Sequence, residues 1–124
     1  MTVKEKITLI KTTVEDKKAT KVVILDLRKV FPMADYWFIC GAPSTIQTRT
    51  IAEAVRMRLK EKGILPSHLE GEESGEWILI DFGDVIVHIF RQEEREFYQL
   101  EKMWRTASLV YSEQENIDRL DQVG

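Results

Sequence analysis

Hydrophobic positions along the chain switch between two periods, and the switches mark the elements. Val3, Ile7, Ile10 and Val14 fall at i, i+4, i+7 and i+11, one stripe of an amphipathic helix with Lys and Glu on its other side. Thr2 followed by Glu5 predicts a capping box at its start, and the pattern ends near Asp16-Lys17-Lys18. Lys21 to Leu27 is rich in β-branched residues and predicts a buried strand. Arg28 to Pro32 reads as a connector, because Pro32 lacks a ladder donor. Tyr36 to Cys40 predicts a second strand, stopped by Gly41-Ala42-Pro43. Ser44 then caps a helix running to about Lys62, with Ile51, Val55 and Leu59 inward and Gly63 suited to its C-terminal turn. Pro66 to Glu72 is a short, poor strand, followed by a turn at Glu72 to Glu76.

The densest segment is Trp77 to Phe90, which predicts a β-hairpin centred on Phe82-Gly83. Gly83 suits the positive φ of such a turn. The first arm is apolar at every position from Trp77 to Ile80. A half-exposed antiparallel strand alternates apolar and polar residues, so both faces of this one need cover. By alternation Trp77 shares a face with Leu79 and Asp81, while Ile78, Ile80 and Phe82 point the other way. A sheet face left open would be a surface for a partner. A last helix is predicted from Glu93, with Phe97, Leu100 and Trp104 on one stripe. The order α-β-β-α-β-β-β-α predicts an α/β (α+β) fold. It has a single mixed sheet of four to five strands, with about three helices packed mainly on one side. The Ser44 helix forms its one long crossover, from the Tyr36 strand to the Pro66 strand.

Composition changes this picture little. The 124 residues suit one domain, and 44% apolar with 31% charged residues is an ordinary mix for a soluble protein. The net charge of −3 does not favour unaided nucleic-acid binding. From Ser112 onward, Glu113, Glu115, Asp118 and Asp121 stand against Arg119 alone. Residues 108–124 are therefore expected to be an acidic tail, loosely helical or disordered, beside a domain at 1–107. The lone Cys40 excludes an intramolecular disulfide and suits a cytoplasmic setting. No apolar run is long enough to span a membrane, and the first residues do not read as a targeting segment.

Candidate chemistry is sparse. Asp81-Phe82-Gly83 spells a kinase magnesium triplet, but no glycine-rich loop, strand lysine or catalytic loop accompanies it. Asp81 and Asp84 flank the predicted turn. They suit capping of turn amides, a Mg²⁺ site or acceptance of a partner's Lys or Arg. Cys40, His68 and His88 are too scattered for a zinc site, and Ser44 lacks a nucleophile elbow. Arg49, Arg56, Arg58, Lys60 and Lys62 bias the second helix toward positive charge, a solvated face or a weak steering strip for RNA phosphate. Trp77, on an apolar face it shares with an Asp, fits a binding anchor.

At these residues the chain resembles the ribosomal silencing factor family, RsfS, also called Iojap. The resemblance rests on Ala34 to Gly41, Glu70-Gly71, Trp77 to Phe90 and Phe97 to Trp104, and runs from about Val3 to Trp104. It implies a non-enzymatic protein with a nucleotidyltransferase-like fold, no cofactor and no small-molecule substrate. It also implies binding to protein fourteen of the large ribosomal subunit, blockage of subunit joining, and a role in large-subunit assembly in some lineages. An active transferase of that fold needs a Gly-Ser pair at a helix start and two carboxylates one residue apart on a strand. Here Gly41 is followed by Ala42-Pro43, and Asp81 and Asp84 are three apart across a turn. The contact set expected for the partner is Trp77, Leu79, Asp81, Phe82, Asp84, His88 and Tyr98. A metal-dependent nucleotidyltransferase-like enzyme and a homodimer through the same face are the alternatives.

Overall fold

The computed structural model describes residues 1–30, 35–93, 108–113 and 115–124. Helix α1 (Val3–Asp16) opens with the expected capping box, in which the Glu5 amide donates to Thr2 Oγ1 at 3.1 Å and the Thr2 amide donates to Glu5 Oε1 at 2.9 Å. It leads into strand β1 (Thr20–Asp26), and β2 (Tyr36–Ala42) returns antiparallel beside it. Helix α2 (Thr45–Lys60) starts where Ser44 Oγ accepts from the Gln47 amide at 3.2 Å. It closes where the Ile64 amide reaches back to the Leu59 carbonyl at 2.9 Å. The short β3 (His68–Glu70) and the hairpin strands β4 (Trp77–Asp81) and β5 (Val85–Arg91) follow.

The sheet has seven strands in the order β3-β4-β5-β2-β1-β6-β7, counting β6 (Ser108–Ser112) and β7 (Ile117–Asp118). Among the described strands only β2 and β5 pair in parallel; every other neighbour is antiparallel. From these pairings β3 runs in the same direction as β2, so α2 does bridge two like-directed strands. They are not neighbours, because the hairpin β4–β5 lies between them.

Two expectations are corrected. The sheet is larger than four to five strands, because the supposed acidic tail supplies β6 and β7. Without β6, strand β1 would be a sheet edge with unpaired amides and carbonyls. Instead β6 pairs antiparallel with it, Leu25 opposite Leu109 and Ile24 opposite Tyr111. Val110 and Val123 join the main core at 6% exposure each, so apolar burial outweighs the tail's charge. The described residues also hold two α-helices, not about three, with a 3₁₀ turn at Leu120–Gln122. The helix expected from Glu93, carrying Phe97, Leu100 and Trp104, lies outside the described residues.

Both helices pack on one side of the sheet. Ile7, Ile10 and Val14 of α1 and Ile51, Val55 and Leu59 of α2 form one core with alternate residues of the central strands, Phe38, Cys40, Ile78, Ile80, Val85, Val87 and Ile89 among them. Lys6 reaches across from α1 to the hairpin turn, its Nζ 2.7 Å from Asp84 Oδ1 in a largely buried ion pair. The basic bias of α2 is mostly spent on neighbours. Arg58 pairs with Asp16 at 3.3 Å, Arg56 pairs with Glu53 and Glu72, and Arg49 donates to the Glu73 and Ser74 carbonyls.

The turn before β4 fixes where that strand begins. Gly71 has φ +86°, and a Cβ there would lie 1.9 Å from the Trp77 carbonyl oxygen. Backbone, not a flexible side chain, fills that space. Gly71→Ala is therefore expected to destabilise the protein by about 2 kcal/mol or more. A urea midpoint close to that of the parent would refute this close approach.

Candidate functional site: an aromatic sheet face

The other side of the sheet carries the residues the helices leave behind. Alternation puts Val23 and Leu25 of β1, Trp37 and Ile39 of β2, Ile86, His88 and Phe90 of β5, and Trp77, Leu79 and Asp81 of β4 on it. The pairing register arranges them in rows. Trp77 stands opposite Phe90, Leu79 opposite His88, and Asp81 opposite Ile86, while Ile39 and Trp37 continue the last two rows across the parallel pair. Ile39 and Phe90 are fully buried, whereas Trp37, Trp77, Leu79 and Ile86 remain half-buried. Neither described helix contributes to the cluster Val23, Leu25, Leu27, Ile39 and Phe90 that forms its centre.

The aromatic rings on this face lock one another. Trp77 stacks on Phe90 with centroids 5.0 Å apart, and Trp37 lies against His88 at 4.5 Å. The Trp77 indole Nε1–H donates to His88 Nδ1 at 3.2 Å. That bond makes Nδ1 the acceptor, so the neutral ring carries its proton on Nε2. Nε2 is buried and has no hydrogen-bond partner. Burial pushes the His88 pKa down to about 4, so the ring is neutral at physiological pH.

The expected contact residues divide between the two sides. Trp77, Leu79 and His88 come together on the aromatic face, with Asp81 at its margin. Asp81 Oδ1 accepts from the Gly83 amide at 2.7 Å, the turn-capping role expected of it, and Gly83 holds φ +91°. Phe82 does not belong to the set: it is 7% exposed and packs in the helix-side core, because alternation turns it with Ile78 and Ile80. Asp84 does not belong either, since Lys6 engages it behind the turn. Tyr98 lies outside the described residues. The sequence reading missed Trp37 and Ile86 as members. Only the parallel register, which aligns Trp37 with Ile86 across almost fifty residues of chain, reveals them.

Among the described residues no group of three or more His, Cys, Asp or Glu could hold a metal ion. No described helix is long and apolar enough to cross a membrane. Among the described residues the site is one face of a mixed sheet, and both described helices pack on the other face. The chain belongs to the ribosomal silencing factor family: the family model described as "Ribosomal silencing factor during starvation" matches residues 1–123. The ribosomal silencing factor RsfS of Halalkalibacterium halodurans is 43% identical over 97 residues, 78% of this chain and 83% of that protein. A crystal structure of a Chromobacterium violaceum protein is 34% identical, with a TM-score of 0.81 over 84% of this chain and 87% of that one. More distantly, the mouse protein named "Mitochondrial assembly of ribosomal large subunit protein 1" is 27% identical over 95 residues, 74% of this chain and 42% of that protein.

The buried imidazole has a pH consequence. Its pKa is about 4 when folded against an ordinary 6.5, so the unfolded chain takes up the proton first as pH falls. The contribution is fully present above pH 6.5 and is lost on acidification toward pH 4. Between pH 7 and about pH 4.5 the parent is expected to lose about 2 kcal/mol more than His88→Gln. Urea titrations at the two pH values measure this, and equal losses would place the imidazole in contact with water.

Proposed function

We propose that this protein docks its aromatic sheet face on protein fourteen of the large ribosomal subunit and so keeps the small subunit from joining. The single observation behind this reading is the half-buried row Trp37, Ile86, Leu79 and Trp77 on a face that neither described helix takes into its core. Family membership supplies the ribosome as the partner class. A standard interface buries about 800 Å² on each partner, within reach of one face of a sheet this wide. Rigid aromatic residues fit the anchor role because little side-chain freedom remains to be lost on binding. Asp81, at the margin, would receive a basic side chain of the partner.

Blocking of this kind needs occupancy and no chemistry, so we read the protein as a non-enzymatic factor acting in the cytoplasm to repress translation when nutrients are scarce. The family's nucleotidyltransferase-like scaffold would then serve as a platform. The carboxylates that a transferase would need for metal are otherwise engaged, Asp81 on the Gly83 amide and Asp84 on Lys6. A role in large-subunit assembly is the second reading, favoured by the name of the mouse relative.

The experiment is cosedimentation with isolated large subunits, small subunits and joined ribosomes. Selective pelleting with large subunits and loss of joined particles is expected. Trp77→Ala should weaken large-subunit binding at least about tenfold while the urea midpoint shows a folded domain. Met57→Ala, on the far side at exposed α2, should bind like the parent. A folded Trp77→Ala protein that binds normally would remove this face from the interface. Binding without loss of joined particles would favour the assembly role.

A further inference from the structure

A second feature lies at the other side of the sheet, where the end of β1, the start of β2 and the start of β6 meet the C-terminal segment. A cavity of about 200 Å³ opens there, lined among others by Asp26, Arg28, Tyr36, Ser108, Arg119 and Gln122. Tyr36 is 2% exposed, and its hydroxyl is buried with no hydrogen-bond partner. The Arg28 guanidinium lies over its ring, 5.3 Å from the centroid. Asp26 is the one carboxylate of the lining, and its oxygens are already occupied. Oδ1 accepts from the Arg28 amide and Nε, both at 3.0 Å, and Oδ2 accepts from Arg28 Nη2 at 2.7 Å. Arg119 makes no ion pair among the described residues; its backbone amide donates to the Val110 carbonyl at 2.6 Å and its carbonyl accepts from the Gln122 amide at 3.0 Å. An adjoining cavity that shares Asp26, Arg28 and Ser108 adds Lys29.

The lining therefore offers donors: the Arg119 guanidinium, Arg28 Nη1, whose neighbours Nε and Nη2 are held by Asp26, and the Ser108 and Tyr36 hydroxyls. Its acceptor-only group is spent. Such a set recognises an oxygen-rich anion. A carboxylate would satisfy two donors, whereas a phosphate presents three terminal oxygens to a larger number. We propose that this cavity binds a phosphate group, with Tyr36 and Arg119 among its ligands. The Tyr36 hydroxyl then gains the partner it lacks, and the ligand ties the C-terminal segment carrying Arg119 to the strands β1 and β2. The site is on the helix side of the sheet, separate from the aromatic face, and does not depend on the docking reading.

The test is a titration of the full chain with inorganic phosphate at constant ionic strength in chloride, followed by backbone amide shifts and by thermal unfolding. Saturable shifts at Tyr36, Ser108 and Arg119 with a rise in Tm are expected. Tyr36→Phe and Arg119→Gln should each weaken binding about tenfold. Tyr36→Phe should leave the Tm without phosphate equal or higher, since it removes a buried hydroxyl that has no partner. That last readout separates a lost ligand contact from a damaged fold. Trp77→Ala should titrate like the parent. The proposal is overturned by shifts that do not saturate, by binding that neither variant weakens, or by a Tyr36→Phe protein less stable than the parent in the absence of phosphate.

Discussion

The parallel pairing of β2 with β5 sets everything else in this molecule. It runs from Tyr36 opposite Val85 to Ala42 opposite Arg91 without a break in register. Because side chains alternate, this one alignment sends Tyr36, Phe38 and Cys40 with Val85, Val87 and Ile89 to the helices. It sends Trp37 and Ile39 with Ile86, His88 and Phe90 to the opposite face. A slip of one residue would turn one strand over against the other and place Trp37 or His88 under α2. The alignment is also non-local: α2, β3 and β4 separate the two strands in sequence, so the loop is closed only once the helices have somewhere to pack.

Both sets are apolar, which is why the hairpin lacks the alternation of a half-exposed sheet. The helix-side set is buried almost completely, and its cost-free partner is the stripe of each helix. On the opposite face Trp77 stacks on Phe90 and Trp37 lies tilted against His88. Trp77 and His88 each bring a polar nitrogen into this cluster, and one hydrogen bond between them satisfies the indole and one nitrogen of the imidazole. The other imidazole nitrogen remains without a partner, and the ring stays neutral because water is excluded. The outcome is a face whose centre is sealed and whose margin at Trp37, Trp77, Leu79 and Ile86 still presents apolar surface.

Local signals in the sequence were sufficient for the elements whose stabilisation is local. The capping box at Thr2 and Glu5, the Ser44 cap, the turn at Gly83 and the stripes of α1 and α2 all depend on residues within a few positions of each other. The family could be read as well, because its densest motif is one continuous hairpin. What escaped was set by contacts distant in sequence. Ser108 to Ser112 is five residues long and lies among acids, so charge hid a strand that exists because β1 offers an edge. The apolar, partly β-branched and aromatic run Leu109, Val110 and Tyr111 was the available signal. Phe82 and Asp84 were included in the contact set with Trp77, although alternation already turned Phe82 away and Lys6 of α1 engages Asp84. Trp37 was left out for the reverse reason, since its neighbours Ile86 and His88 are near only in space.

The proposed docking requires contact residues that are held before the partner arrives, because ordering them afterwards subtracts from affinity. Here the helix layer does the holding from behind. Lys6 of α1 grips Asp84 at one end of the hairpin. At the other end Thr48 of α2 donates from its hydroxyl to the Gly75 carbonyl at 2.6 Å, and Arg49 donates to the Glu73 and Ser74 carbonyls beside it. The chain enters β4 from that clamped turn, two residues before Trp77. Both loops that bound the hairpin are thus fixed to helices on the far side of the sheet, and the face itself is left clear of the side chains that fix it. The two well-capped helices thus give the aromatic row a rigid back.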